Sequence, residues 1–505
     1  MSGAFSSRPT WVVLKFGGTS VSSRPQWDVI AGLARARLEA GHRVLVVCSA
    51  VAGVTNRLTA LADRCERESG REALAGCAAG SALDEEFDEL LDVHRALGAA
   101  LGVADRYWLA GAATMLQDSL AALRREPDPP ARAALVGSGE WLSTRIGTQF
   151  LVAQGLPAAW VDAREALEAA AEHDLSPARQ WLSAGCAAGA DRDLQDLWAG
   201  VAPLLVTQGF VARSADGRTA LLGRGGSDTS AALLAGRLAA ERVEIWTDVP
   251  GLFTADPRLV AEARLLGSVD YDEALEMAAS GARVVHPRAI RAAAETRTPM
   301  WIRDTNHPQA EGTCIGAADA ARGAGANPSG EVAVGVKTVT CQPDMAVMLL
   351  QNLDARRQVG FLADVFDVFR RHGVSIDLVA TSETTTTVAL NKAANHLDMA
   401  GLGRVTDDLE RHCTVQRFDD CVCVNLVGRG ARKALGRLAP AMAHFEQRPL
   451  LMVSQSANDL CLSLLVPAGE HGALLRSAHE ALIPASADGV FGLTWDEIRS
   501  AENGG

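Results

Sequence analysis

Trp11-Val12-Val13-Leu14-Lys15-Phe16-Gly17-Gly18-Thr19-Ser20-Val21 is an apolar run closed by one lysine, two glycines and two hydroxyl residues. The Val pair suits a buried strand. The Gly pair lets the backbone approach an anion with no Cβ in the way. Thr19 and Ser20 are placed to cap a following helix, whose N-terminus favours phosphate. The stretch predicts a strand that opens into a phosphate-binding loop, with Lys15 as the cation for the phosphates or for a transferring phosphoryl group. It is not a Walker A loop, where lysine comes after the glycines, and no Gly-x-Gly-x-x-Gly follows this strand.

Working outward, residues 26–40 read as an amphipathic helix. Val44-Leu45-Val46-Val47-Cys48 reads as a strand buried on both faces, so a βαβ unit is complete within fifty residues. Ligand sites in such sheets collect at the carboxyl ends of strands, where Ser49, Gly53 and Thr55 fall. Residues 57–130 have helical periodicity and no evident chemistry, and Pro127-Asp128-Pro129-Pro130 closes them with a rigid turn. A brief apolar run at 133–136 leads into Gly137-Ser138-Gly139-Glu140 and a helix. Residues 158–161 and 204–210 are short strands. Gly223-Arg224-Gly225-Gly226-Ser227-Asp228 is a second glycine loop, set between a strand at 219–222 and an alanine-rich helix ending at Ala240. Residues 243–246 form a strand ending in Thr247-Asp248, residues 254–258 a polar turn, and 300–303 a closing edge strand.

The chain has 505 residues, 48% of them hydrophobic and 22% charged, enough for several cores and more than one domain. A net charge of −13 disfavours nucleic acid and anionic membranes as partners. No apolar run has the length of a membrane span, and residues 1–10 lack an apolar core behind a basic start; both predict a cytoplasmic chain. The ten cysteines show no metal-binding spacing, and Cys421 and Cys423 alternate within a strand, as reduced structural thiols would.

A small anionic substrate must then meet a local cluster of charge. Arg224, among glycines, offers a bidentate fork to a carboxylate. Glu140 and Asp228 suit an ammonium on the substrate or a bound Mg²⁺. Asp248 and Asp256 also fit ordinary turns, and His286, before Pro287, fits a structural role.

Residues 316–330 are Ala/Gly-rich and form a linker. Beyond it, 332–339, 345–350, 373–379, 385–390, 421–427, 450–454 and 460–466 read as strands, and 361–371, 432–442 and 469–481 as helices. Two βαββαβ units fit this half. The pattern sets domain limits of 10–315, 331–420 and 421–490; by the resemblance given below these are a catalytic domain and a first and second ACT region. The strand at about 331–340 is open to assignment to the second.

Taken together the stretches at 15–20, 49–56, 139–140, 223–228, 247–251, 256–258 and 281–287 resemble, in order, those of the aspartate kinases of the amino acid kinase family. Residues 360–366, 375–378, 381–383 and 453–459 resemble that enzyme's paired ACT domains. Phe491-Gly492-Leu493-Thr494-Trp495 is similar to the kinase portion of enzymes fused to diaminopimelate decarboxylase. The resemblance implies an α/β amino acid kinase fold, a mostly parallel sheet between helices, followed by two ferredoxin-like ACT domains. It implies ATP, Mg²⁺ and L-aspartate as reactants, 4-phospho-L-aspartate as product, feedback by lysine and/or threonine, and a homodimer or higher oligomer. Carried over by position, Lys15 and Asp228 are catalytic. Ser49, Thr55, Glu140, Arg224 and Asp228 bind aspartate. Lys15, Gly17, Gly18, Thr19, Ser227, Thr247, Asp248, Phe253, Arg258 and Arg283 surround the nucleotide, and Asp377, Ser382 and Glu383 the effector. Arg283 stands where the family usually has lysine, and Phe253 where tyrosine is common. Alternatives are a glutamate or acetylglutamate kinase of the same family, and a non-catalytic ACT sensor.

Overall fold

Strand β1 (Trp11–Phe16) is buried along its whole length and pairs in parallel on both sides. The computed structural model describes residues 10–72, 80–104, 109–171, 176–282, 284–316, 335–351, 360–438, 442, 449–484 and 490–502. The further strands are β2 (Arg43–Cys48), β3 (Ala158–Trp160), β4 (Leu204–Gln208), β5 (Val211–Arg213), β6 (Thr219–Leu221), β7 (Arg242–Thr247), β8 (Arg264–Leu266), β9 (Ser268–Val269), β10 (Met300–Asp304), β11 (Thr313–Ile315), β12 (Thr338–Gln351), β13 (Leu378–Thr381), β14 (Thr385–Asn391), β15 (Thr414–Val427), β16 (Met452–Gln455), β17 (Cys461–Pro467) and β18 (Phe491–Thr494). The chain folds as two units. The first takes the described residues of 1–251, 268–271 and 284–324, and the second those of 252–267, 272–283 and 325–505. Residues 252–267 and the described residues of 272–283, read from sequence as part of the first domain, thus fold with the half beyond the linker. Residues 317–334, which include most of the expected linker, lie outside the described residues.

In the first unit eight strands form one sheet in the order β3-β4-β2-β1-β7-β10-β11-β9. Every pair is parallel except β10 with β11. Strand alternation sends Val12, Leu14 and Phe16 to one face, into a core shared with Trp27, Ile30 and Ala34 of the helix Arg24–Glu39. The helix Gly226–Arg237 also packs against β1.

A buried charge cluster ties helix to sheet. Glu244 on β7 is fully buried and accepts two bonds from Arg37 at 3.0 and 3.1 Å, one from Arg242 at 2.7 Å and one from Trp246 Nε1 at 3.2 Å. Burial alone would raise its pKa; the Arg37 and Arg242 guanidiniums reverse that and hold it below the ordinary value.

Three expectations change here. The strand at 300–303 is internal, with β7 on one side and β11 on the other; the sheet's edges are β3 and β9. The turn at 127–130 is a helix start, where Asp128 caps Ala131 N–H at 2.8 Å and Pro129 and Pro130 sit in the first turn of Pro129–Val136. The strand before the second glycine loop, β6, belongs to a separate hairpin with β5.

In the second unit six strands form one antiparallel sheet, β13-β14-β12-β15-β17-β16. The expected strands at 332–339 and 345–350 are one strand, β12, with register shifts between Gln342 and Met345 and between Met345 and Val347; residues 332–334 lie outside the described residues. Its first half pairs with the second half of β15, and its second half with the first half of β15 and with β14. The helix Met399–Leu409, unassigned from sequence, buries Leu402, Val405 and Leu409 against Val365, Val368 and Phe369 of Phe361–Arg371. The helix expected at 432–442 is a 3-10 turn, Ala431–Gly436; most of 437–448 lies outside the described residues. A buried ion pair, Lys337 Nζ to Glu273 Oε2 at 2.5 Å, fastens residues 272–279 to this unit.

Glu244→Ala strands two arginines and should cost about 3–5 kcal/mol of stability. Urea unfolding checks this, and a loss under about 1 kcal/mol would contradict the bridging role.

Candidate active site

Lys15 is the fifth residue of the central strand, with Val47 of β2 and Ile245 of β7 beside it in register. It points away from the Leu14 core and is only 8% exposed. Its Nζ lies 2.6 Å from Asp228 Oδ1. Asp228 sits in the first turn of Gly226–Arg237, so an ammonium and a helix N-terminus meet at one point. That helix starts only because residue 225 is glycine. Gly225 has φ 66°, and a Cβ there would fall 2.3 Å from His286 Cβ.

Around Lys15 is a cavity of about 530 Å³, a size suited to small ligands. Its walls carry Gly18, Ser49, Thr55, Glu140, Arg224, Ser227 and Asp228, seven residues singled out from sequence. They come from the chain just after β1, β2 and β6 and from the start of the helix Ser138–Ala153. Glu140 is 3% exposed, and its Oε2 is buried without a hydrogen-bond partner among the described residues. Burial pushes its carboxyl up to about 8, against the pull of its own amide, the Ala50 amide and the Thr55 hydroxyl. Such a group is short of a cation. Arg224 is exposed on the wall and makes no ion pair among the described residues. The cavity therefore brings together a buried carboxyl at Glu140, an exposed guanidinium at Arg224 and an ammonium at Lys15.

Gly17 and Thr19 flank the wall without lining it. A Cβ at Gly18 would fall 2.8 Å from Ala50 O, so this glycine lets the first two loops touch. The helix cap expected from Thr19 and Ser20 is not made. Both residues lie inside a 3-10 turn, Thr19–Val21, and Ser20 Oγ instead meets Thr305 Oγ1 at 3.2 Å. Thr247 ends β7, where its carbonyl accepts from the Thr305 amide and hydroxyl, both at 2.8 Å; its own hydroxyl donates to Asp248 at 3.1 Å. Phe253 and Arg258 belong to the second unit, where Arg258 pairs with Asp256 at 2.7 Å. Arg283 lies outside the described residues. His286 caps the helix Pro287–Thr296 through Nδ1, a structural task. In the second unit the Asp377 carboxylate accepts from Asn391 N–H at 2.7 Å, and Ser382 closes the β13–β14 turn through Thr385 at 2.6 Å. Glu383 lies in the same turn.

Three cavity features escape sequence reasoning. Arg132 lines the wall while paired with Asp63 at 2.6 Å and Glu66 at 3.0 Å. Thr59 joins it from the helix Val54–Glu72. Phe210 adopts φ 70° in a tight turn closed by Val211 N–H on Gly209 O at 2.9 Å, a strained conformation at the cavity wall. Periodicity gives no signal for any of them.

A mostly parallel sheet whose central strand delivers a lysine to a glycine loop, across a cavity from a buried carboxyl and a separate guanidinium, has the arrangement of a phosphotransferase acting on an amino acid. Residues 10–304 match the amino acid kinase family, and the chain belongs to that family. It is 30% identical over 484 residues to the lysine-sensitive aspartokinase 3 of Escherichia coli K12, spanning 93% of this chain and 99% of that one. The structure is similar to E. coli aspartokinase III in complex with lysine and aspartate (TM-score 0.73, 28% identity, 94% of this chain and 99% of that chain). It is also similar to the same enzyme in complex with aspartate and ADP (TM-score 0.70, 29% identity, 94% and 100%).

The raised Glu140 pKa has a defined effect on stability. Between about 4.5 and about 8 the folded chain keeps a proton that the unfolded chain releases, so this group's contribution falls as pH rises through that window and then levels off. Urea midpoints of wild type should therefore decline relative to Glu140→Gln between pH 5 and pH 8; parallel curves would refute the buried, protonated state.

Proposed function

We propose that this chain is a feedback-regulated aspartate kinase, transferring the γ-phosphoryl group of ATP to the side-chain carboxylate of L-aspartate. The convergence of Lys15, Asp228, Glu140 and Arg224 on one cavity carries the reading, and the similarity to aspartokinases over nearly the whole chain supports it. Arg224 takes the α-carboxylate. Glu140, with Asp228 nearby, takes the α-ammonium, whose charge supplies the cation that Glu140 lacks. Ser49 and Thr55 line the amino-acid side of the cavity. The β-carboxylate is left facing Lys15.

No protein nucleophile is needed, since that carboxylate attacks the γ-phosphorus itself. Catalysis is then alignment and electrostatics. Lys15 neutralises charge on the transferring group, and Asp228, 2.6 Å away, keeps the ammonium in place. Gly17, Gly18, Thr19 and Ser227, with Thr247 and Asp248, serve the nucleotide. Phe253, Arg258 and Arg283 are assigned to it by resemblance. Mg²⁺ fits as an ion carried on the nucleotide. It is then held mainly by phosphate oxygens and water. When bound it neutralises charge on the phosphates.

The second unit is the regulatory part, with Asp377, Ser382 and Glu383 as effector candidates and lysine and/or threonine as effector. Its sheet ends in β13 and β16, where Val379 and Val453 are exposed, and such edges suit a homodimer or higher oligomer. No helix among the described residues is long and apolar enough to cross a membrane; we assign the enzyme to the cytoplasm.

ADP release with aspartate, glutamate and acetylglutamate tests the assignment, and no turnover with aspartate would sink it. Lys15→Ala should lower kcat by well over tenfold with the fold intact. Arg224→Ala should instead raise the aspartate KM about 10- to 150-fold, the equivalent of one charge-assisted contact. Titration with lysine, threonine and methionine, singly and in pairs, reads the regulation.

A further inference from the structure

The Ser22 hydroxyl joins two loops that the chain visits thirty residues apart. It donates to Gly18 O at 2.6 Å and accepts Ala52 N–H at 3.1 Å. Gly18, beside Lys15, and Ala52, on the loop after β2, both line the cavity. Ser22 itself stands outside the glycine loop and outside the cavity wall.

We propose that Ser22 is a positioning residue for phosphoryl transfer, a hydroxyl latch that sets the amino-acid loop against the phosphate loop; this rests on the aspartate kinase reading. The amino-acid loop needs such a tie. Its inner end is anchored, because Ser143 Oγ donates to Ser49 O at 2.8 Å. Its tip is not buried: Ala52 and Gly53 are exposed, and Gly53 turns at φ 82°. The latch acts at this tip. Its partner Gly18 has no Cβ, which lets Ala50 O and the Ala52 backbone approach the same point.

The consequence reaches Glu140. Two of the groups that favour its ionised form, the Ala50 amide and the Thr55 hydroxyl, sit on the latched loop. Lys15, Arg132, Arg224 and Asp228 are the other charged groups lining the same cavity. Releasing the tip lets these two groups drift from Glu140 and leaves those four charges in place, so Glu140 becomes harder to ionise. Aspartate, which needs the carboxylate, then binds well only at higher pH.

The neighbouring Ser23 supplies the control. Its hydroxyl donates to Gln26 Oε1 at 2.6 Å and stays at the start of its own helix. Ser22→Ala should raise the aspartate KM about five- to thirtyfold, as loss of one or two hydrogen bonds implies, with kcat within about threefold. Its pH profile of aspartate KM should shift upward. Ser22→Thr should restore both, and Ser23→Ala should change neither. Hydrogen–deuterium exchange of residues 49–56 in the free protein should quicken in Ser22→Ala alone. Unchanged KM, pH profile and exchange in Ser22→Ala overturn the proposal, as does failure of Ser22→Thr to rescue. Exchange is read without substrate, so it tests the latch even in a chain that turns over no aspartate, an outcome that counts against the kinase assignment.

Discussion

A single ion pair organises the first unit. Lys15 Nζ and Asp228 Oδ1 lie 2.6 Å apart, one on the central strand and the other in the first turn of the helix packed against it. A lysine at the end of a buried strand is costly to hold charged without a partner. Asp228 supplies that partner, and it reaches Lys15 only because the glycine at 225 turns the chain with φ 66°. Strand, glycine turn and helix start therefore depend on one another. The cavity forms where they meet.

Around that pair the charges are divided by role. Lys15 and Arg132 have carboxylate partners within the protein. Glu140 and Arg224 do not have their charges met among the described residues, and these two fit the two charged groups of an α-amino acid. An enzyme that uses alignment in place of a protein nucleophile needs this arrangement, because the substrate's own carboxylate must face the phosphoryl group. The strained turn at Phe210 on the same wall is consistent with a site whose shape the surrounding fold enforces.

In the second unit two fourteen-residue strands, β12 and β15, run through one continuous sheet and give each half-strand a different set of neighbours. Residues 252–267 and 272–283 fold with that sheet through the buried Lys337–Glu273 pair and through the Thr254 and His479 side chains, 2.8 Å apart. The chain crosses between units more than once, so a boundary drawn at one linker misses part of the organisation.

The sequence by itself determined the βαβ start, Lys15 ahead of its glycines, the second glycine loop, and the acids and arginine that face them. These are local signals: apolar runs mark buried strands, and glycines mark loops where backbone must come close. The same locality explains the errors at 127–130 and 332–350, where a helix cap and a register shift replaced a turn and a strand break. Only the tertiary structure decided that 300–304 is an inner strand, that Arg132 and Phe210 reach the cavity, and that Ser22 bridges Gly18 and Ala52. Each depends on contacts between residues far apart in the chain, and no periodicity or motif records a contact of that kind.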